Sequence, residues 1–264
     1  MRIVLLTLNA IRHKFVANTL AARADRLLVV SECRQNDAVA VESLGKGATL
    51  VEKHFYERYL AERKFFAGND VFHAPTIPLL HKEVNLRYTY DAVASFKPEA
   101  IFVFGASIIK EPLLSVVPPG RRINMHLGLS PYYRGSGTNF WPFANGELEY
   151  VGATLLHLDA GVDSGDIVAH VRPGIEPGDT VHTAGCKTIR GGADAFVRCI
   201  ARLEKGLELP RVKQWEVPNA RYYRRKDVTP EALARYHENM RSGLVQRYAA
   251  EGPKRDLRLI PLPV

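Results

Sequence analysis

Three observations on the sequence predict an α/β fold, a Rossmann-like, mixed and mostly parallel twisted sheet with helices on both faces and a short, mainly helical C-terminal appendage. Continuous apolar runs, RIVLLT at 2–7, LLVVS at 27–31 and AIFVFG at 100–105, read as strands covered on both faces. Helical stretches alternate with them, as in βαβ units. The chain has 264 residues, 46% of them hydrophobic, enough to bury one large core or a core with an appendage.

FVANTLAARA lies between the first two strands and completes an opening strand, helix, strand unit. VEKHFYERYLAERKFF at 51–66 and NLRYTYDAVASFK at 85–97 read as helices, the second stopped by Pro98. After AIFVFG comes a short helix, EPLLSVV, and PPG at 118–120 turns the chain into the strand RINMHL. GATLLHLD at 152–159 and IVAHVRP at 167–173 flank a tight loop and pair as antiparallel neighbours, which makes the sheet mixed. A helix runs from Asp179 to about Leu203, weakened by Gly185, Gly191 and Gly192 at ~1 kcal/mol each relative to alanine. Composition then shifts, so we expect a first domain over 1–205 and an extension over 206–264. Within the extension a helix over 230–249 is capped by Thr229, with Pro230 in its first position and Glu231 favouring its N-terminus; it is free to pack on its own core or on a second subunit.

The formal net charge of +8 and pI near 9.4 suit an anionic partner: nucleic acid, a membrane surface or a phosphorylated small molecule. The cysteines, Cys33, Cys186 and Cys199, are odd in number and lack Cys-x-x-Cys spacing, so neither a disulfide framework nor a zinc site is indicated and a reducing cytoplasm fits. The opening MRIVLLTLNAIRHK has too short an apolar run for a signal peptide before Arg12, His13 and Lys14. No stretch reaches the ~18 apolar residues of a membrane span. The turn after the first strand, LNAIRHK, has no glycine and cannot be the G-x-G-x-x-G loop of a dinucleotide site, which argues against a nicotinamide dehydrogenase.

Chemistry concentrates between 124 and 166. In a strand, i and i+2 leave the same face, so Asn124 and His126 point together and Met125 away. An amide donates N–H to a developing oxyanion. An imidazole, ordinarily of pKa ~6.5, exchanges a proton near neutral pH if a third group holds its tautomer. The loop DAGVDSGD offers Asp159, Asp163 and Asp166 for that, and spacing does not choose among them. A bland reading stands beside this: asparagine also forms turns at strand ends, and a lone histidine is often a satisfied polar group. Calcium is disfavoured because DAGVDSGDIVAH lacks the D-x-[DN]-x-[DN]-G order and a final glutamate.

INMHLGLSPYYRG, followed about two dozen residues later by GATLLHLDAGVDSGDIV, resembles the folate-dependent formyltransferases. Their pattern is Asn-x-His, a Ser-Leu-Leu-Pro-like loop and an aspartate in a Leu-Asp-x-Gly-like loop. The resemblance covers roughly residues 1–205 and implies a triad of Asn124, His126 and Asp163. It further implies that 10-formyltetrahydrofolate donates the formyl group, with no metal, and that the pteridine is held through backbone groups of Phe104, Gly105, Ala106, Ser107 and Ile108, with Asp159 nearby. In the implied mechanism a primary amine attacks the formyl carbon, Asn124 and protonated His126 stabilise the oxyanion, and Asp163 orients the imidazole and assists proton movement. One departure is GLSP where the family has Ser-Leu-Leu-Pro, a loop that touches donor and acceptor.

Relatives of this kind formylate glycinamide ribonucleotide, methionyl-tRNA or nucleotide-linked amino sugars. The first usually comes with a Gly- and Ser-rich phosphate loop after the first strand, where this chain has NAIRHK. The second usually comes with a C-terminal β-barrel of about a hundred residues, where a helical pattern follows here. RYYRRK at 221–226 interleaves aromatics with cations as nucleic acid would like, but such a run is more often solvated surface or packed tail. Elimination leaves a nucleotide-linked amino sugar, as in enzymes that make N-formylated sugars for surface polysaccharides. Arg12, Lys14 or Arg134 would meet its phosphates, Tyr132, Tyr133 and Trp141 would stack on base or sugar, and Thr138 and Asn139 would hydrogen-bond the sugar. Each has a structural reading as well, as surface charge or core packing. Two rivals are a 10-formyltetrahydrofolate hydrolase using the same triad with water, and a non-catalytic RNA- or ligand-binding module that retains the scaffold.

Overall fold

A computed structural model describes residues 1–34 and 47–263. The strands β1 (Arg2–Leu8), β2 (Arg26–Cys33), β3 (Thr76–Leu80), β4 (Ala100–Phe104), β5 (Arg122–His126), β7 (Ala153–His157) and β8 (Ile167–Val171) form one sheet in the order β3-β2-β1-β4-β5-β7-β8. The first five run parallel, and β7 and β8 are antiparallel to their neighbours. This is the mixed, mostly parallel sheet expected.

Side-chain alternation places a core on each face. Ile3 and Leu5 of β1, Phe102 of β4 and Met125 of β5 join one cluster, with α1 (Ile11–Ala21) and α5 (Val181–Glu204) over them. Val4, Leu6, Ile101 and Val103 join the opposite cluster with Val93 of α3 (Arg87–Phe96). Helix α2 (Leu50–Phe65), opened by a Thr49–Glu52 capping box, packs near α5, and its side chains His54 and Glu62 are buried. A third core gathers Trp141 and Phe143 of the short α4 (Trp141–Asn145), Leu233 and Tyr236 of α6 (Pro230–Arg241), and Val245 of α7 (Leu244–Glu251).

Several expectations change in detail. The turn after β1 is only Asn9 and Ala10, and α1 starts at Ile11, so Arg12 and Lys14 lie in a first helical turn; nothing in NAIRHK forbids helix. EPLLSVV makes one 3₁₀ turn, Leu114–Val116. The helix expected over 230–249 breaks into α6 and α7, because Gly243 takes φ +77° between them. Gly192 proves a packing device: a Cβ there would lie 2.0 Å from Met125 Sδ, so glycine lets α5 approach the sheet. Strands β6 (Tyr133–Gly135) and β9 (Arg221–Tyr223), a small parallel pair, were not foreseen.

The C-terminal extension lies against the rest of the chain. Val212 pairs with Ile167, Leu209 and Leu262 enter the first core, and Tyr223 stacks on Trp141 with ring centroids 3.9 Å apart. α6 buries Ala232, Leu233 and Tyr236 within its own chain.

Candidate active site

Asn124 and His126 leave β5 on the face opposite Ile123 and Met125, at the carboxyl end of the sheet. The 158–166 loop brings Asp163 to both: Asn124 Nδ2 donates to Asp163 Oδ1 at 3.0 Å, and His126 Nδ1 lies 3.1 Å from Asp163 Oδ2. His126 Nε2 is buried and has no hydrogen-bond partner among the described residues. Burial alone would raise the Asp163 carboxyl; hydrogen bonds from His126 and Asn124 and the charge of Arg134 outweigh it, so the group titrates below its ordinary range. The ionised carboxylate therefore fixes imidazole and amide together, leaving Nε2 and the second amide hydrogen to meet a reacting group.

The other two aspartates do different work. Asp159 Oδ1 accepts from Gly161 N at 3.0 Å and Ser164 Oγ at 2.9 Å, which folds the loop, and Asp166 accepts from Arg211 at 3.2 Å. Asp163 itself has φ +49°, a conformation aspartate tolerates better than most residues. Gln214 of the extension holds it there, its Nε2 donating to the carbonyls of Asp163 at 2.8 Å and Gly165 at 3.0 Å. No local signal marks Gln214 in the sequence. Gly128 matters for another reason: a Cβ there would stand 2.8 Å from His126 Nε2 and 2.7 Å from Thr138 Cβ.

At 104–108 much of the backbone is already engaged. Phe104 O accepts from Thr7 Oγ1 at 2.8 Å, Ser107 N donates to Glu32 Oε2 at 2.7 Å, and Ile108 O accepts from Asn85 Nδ2 at 2.8 Å. Gly105 takes φ +80°, and a Cβ on it would lie 2.8 Å from His13 Nε2; Ala106 follows it, partly buried. Glu32, fully buried at the end of β2, also accepts from Lys82 N at 2.7 Å, so one carboxylate ties the segments after β3 and β4. An acid closing the apolar run LLVVSE was a readable signal that sequence reasoning passed over. Leu80 and Ile108 in these segments are exposed, as is Val162 next to Asp163.

On the other side of His126 lies a cavity of about 740 Å³ between α1, α2 and α5. Arg12, Lys14, Thr138 and Asn139 line it, together with Arg225 of RYYRRK and with Arg34 and Arg58, which were not singled out. Arg12 Nη1 donates to both Glu62 oxygens at 2.8 Å, and Lys14 Nζ donates to Asp70 O at 2.6 Å. Asn139 Oδ1 accepts from Gly152 N at 2.9 Å while its Nδ2 is buried without a partner among the described residues. The aromatics go elsewhere. Trp141 is 1% exposed, stacked on Tyr223 with Nε1 donating to Ser136 O at 3.0 Å; Tyr133 is buried with its hydroxyl 2.5 Å from Glu147; Tyr132 is buried with its hydroxyl donating to Arg258 O at 3.1 Å. None of the three lines the cavity, because the third core claims them. Arg134 likewise does not line the cavity, and its charge acts on Asp163 instead. In RYYRRK, Tyr223 is packing, Tyr222 is exposed and Arg225 reaches the cavity.

Among the described residues no group of three or more His, Cys, Asp or Glu is placed to hold a metal ion, and no helix is long and apolar enough to cross a membrane.

The sequence profile of the formyl transferase family matches residues 29–200, more than half of the chain. The methionyl-tRNA formyltransferase of Desulforamulus reducens is 34% identical over 139 residues, which are 52% of this chain and 43% of that protein. The methionyl-tRNA formyltransferase of Koribacter versatilis is 35% identical over 115 residues, 44% and 36% of the two chains. The matches thus span less than half of those relatives' length. Among solved structures, the N-formyltransferase from Helicobacter canadensis in complex with folinic acid and dTDP-3-aminofucose aligns with a TM-score of 0.55 at 18% identity, over 87% of this chain and 73% of that one. Phosphoribosylglycinamide formyltransferase from Anaplasma phagocytophilum aligns with a TM-score of 0.53 at 14% identity, over 85% and 98%. At these identities the structural likeness establishes the fold. With the profile match over 29–200, which includes Asn124, His126 and Asp163, the chain belongs to the formyl transferase family, the folate-dependent formyltransferases.

Proposed function

We propose that this chain moves the formyl group of 10-formyltetrahydrofolate onto a primary amine carried by a nucleotide-linked sugar. The observation that carries this reading is the continuity between Asn124, His126 and Asp163 and a cavity whose other walls bear cations. Arg12 and Lys14 sit in the first turn of α1, where the helix dipole disfavours positive charge, and Ala10 supplies no side-chain cap. Such a helix end, with Asn9 and Ala10 on the cavity wall, suits an anion, and a diphosphate would supply it. The donor is assigned to the segments that follow β3 and β4, where exposed Leu80 and Ile108 offer apolar surface to a pteridine, and to the loop of Asp163, where Val162 is exposed.

The reaction then proceeds by addition and elimination. The amine nitrogen attacks the formyl carbon, and the developing oxyanion takes N–H bonds from Asn124 Nδ2 and from His126 Nε2 in the imidazolium form. Asp163, ionised, holds His126 Nδ1–H and relays the amine proton. Collapse breaks the bond from carbon to N10; the folate nitrogen gains a proton and the amine becomes a formamide. The sequence relatives give a second reading, with methionyl-tRNA as acceptor.

The test is formyl transfer from 10-formyltetrahydrofolate to a panel of nucleotide-linked amino sugars, methionyl-tRNA and glycinamide ribonucleotide, with tetrahydrofolate release and product mass followed for wild type, Asn124→Ala and His126→Ala. We expect an N-formyl product with an amino sugar and a ~10²- to 10³-fold loss of kcat in each variant. Product with methionyl-tRNA alone selects the second reading. Folate release without formylated amine means hydrolysis, and wild-type activity surviving in both variants removes the triad.

A further inference from the structure

Helix α2 has 16 residues, yet the side chains it buries are His54 and Glu62. A helix against a core normally turns an apolar stripe inward. Here His54, Arg58 and Glu62, four residues apart and so on one face, all line the cavity. Facing them is His182 in the first turn of α5, its ring centroid 4.6 Å from that of His54. His54 and His182 are 6% and 8% exposed, and His54 Nδ1 and His182 Nε2 have no hydrogen-bond partner among the described residues. The nearest carboxylate oxygen, Glu57 Oε2, is 3.8 Å from His182 Nε2, too far for a hydrogen bond. The rings of Phe140, Phe55 and Tyr236 also stand near His54, at 5.2, 5.5 and 6.1 Å. If packing were the whole role of this pair, phenylalanine would serve without burying ring nitrogens unpaired.

We infer that His54 and His182 form the subsite for the hydroxyl groups of the acceptor's sugar and set which sugar is accepted. This rests on the acceptor class proposed above. A neutral imidazole carries one donor and one acceptor nitrogen, which matches hydroxyls, able to do both, better than phosphate oxygens, which only accept. Burial, with Arg58 close by, pushes His54 down to about 4 and His182 to about 3, so both rings are neutral at physiological pH. The wall is continuous with the reacting centre: Phe140, against His54, follows Thr138 and Asn139, and Thr138 packs beside Gly128 and His126. Phosphates would then fall toward Arg12, Lys14 and Arg34.

The experiment is calorimetric binding of UDP and dTDP alone, UDP- and dTDP-linked hexoses, and folinic acid to wild type, His54→Phe, His182→Phe and His54→Gln. Wild type should bind one nucleotide hexose more tightly than its nucleoside diphosphate, and each phenylalanine variant should lose about 10-fold or more of that advantage. His54→Gln, which keeps a donor and an acceptor, should recover part of it. Folinic acid binding reports an intact fold; if a phenylalanine variant lacks it, His54→Gln is judged by the sugar advantage alone. An undiminished sugar advantage, or equal losses for diphosphate and hexose, overturns the inference while leaving the acceptor class standing. A wild type that binds no nucleotide at all overturns both.

Discussion

Gly128 shows how narrowly the imidazole of His126 is placed. With no side chain it lets the ring edge of His126 pass Thr138; a methyl group there would sit 2.8 Å from Nε2 on one side and 2.7 Å from Thr138 Cβ on the other. Gly128→Ala should therefore turn His126 away and lower kcat by ~10²-fold, at a stability cost of only about 1–3 kcal/mol, because the extra volume is one methyl. Steady-state kinetics beside thermal unfolding separates the two effects; a variant that unfolds but keeps its kcat when folded contradicts this placement. The same scale explains what was legible. Asn124 and His126 could be paired from strand periodicity alone, since both sit within one element. The choice of Asp163 over Asp159 and Asp166 could not, because it depends on a left-handed residue and on Gln214 from 51 positions away.

Among the elements, β2 carries more than its sheet position suggests. Its last turn inward is Glu32, whose two oxygens take the N–H groups of Lys82 and Ser107 and so hold the segments that follow β3 and β4 in one arrangement. Glu32→Ala strands both donors, and we expect the donor KM to rise about 10-fold or more while the acceptor KM moves little. Titration with folinic acid checks it, and a variant whose acceptor KM alone rises argues against the clamp. Strands β1, β2 and β4 were readable because their continuous apolar runs are buried on both faces of the sheet. The helices were harder. α2 was legible as a helix but not as a cavity wall, since its polar inward stripe looks in sequence like a solvated face. Tyr132, Tyr133 and Trp141 misled in the opposite way: aromatics after a catalytic strand suggest stacking on ligand, and only the arrival of Tyr223 and α6 from the extension converts them to core.

For the molecule as a whole, buried neutral imidazoles should govern its response to acid. His13, His54 and His182 all titrate below the ordinary histidine value in the folded chain, through burial and the nearby guanidinium of Arg58, with Arg12 and Arg34 also acting on His13. Glu57, Tyr236 and His237 stand around the His54 and His182 pair without reversing this. As pH falls below ~6.5 the unfolded chain takes up protons that the folded chain refuses, so stability declines until His54 accepts one at about 4 and His182 at about 3. Asp163 acts in another window: held below its ordinary value, it contributes stability above ~4 that is lost only in stronger acid. Melting temperature should thus fall between pH 7 and pH 5, and the fall should be shallower in His54→Phe. Identical slopes in the two proteins would sink this assignment.

The Gln214 anchor also bears on order in time. During synthesis, β5 with Asn124 and His126 can join the parallel strands as soon as it emerges, whereas the carbonyls of Asp163 and Gly165 must wait for a side chain made about fifty positions later. Likewise His170 on β8, which reaches Ser130 O at 2.7 Å, gains its contact with Ile260 N only after ninety further residues have been made. A growing chain would therefore hold its sheet before it holds its chemistry.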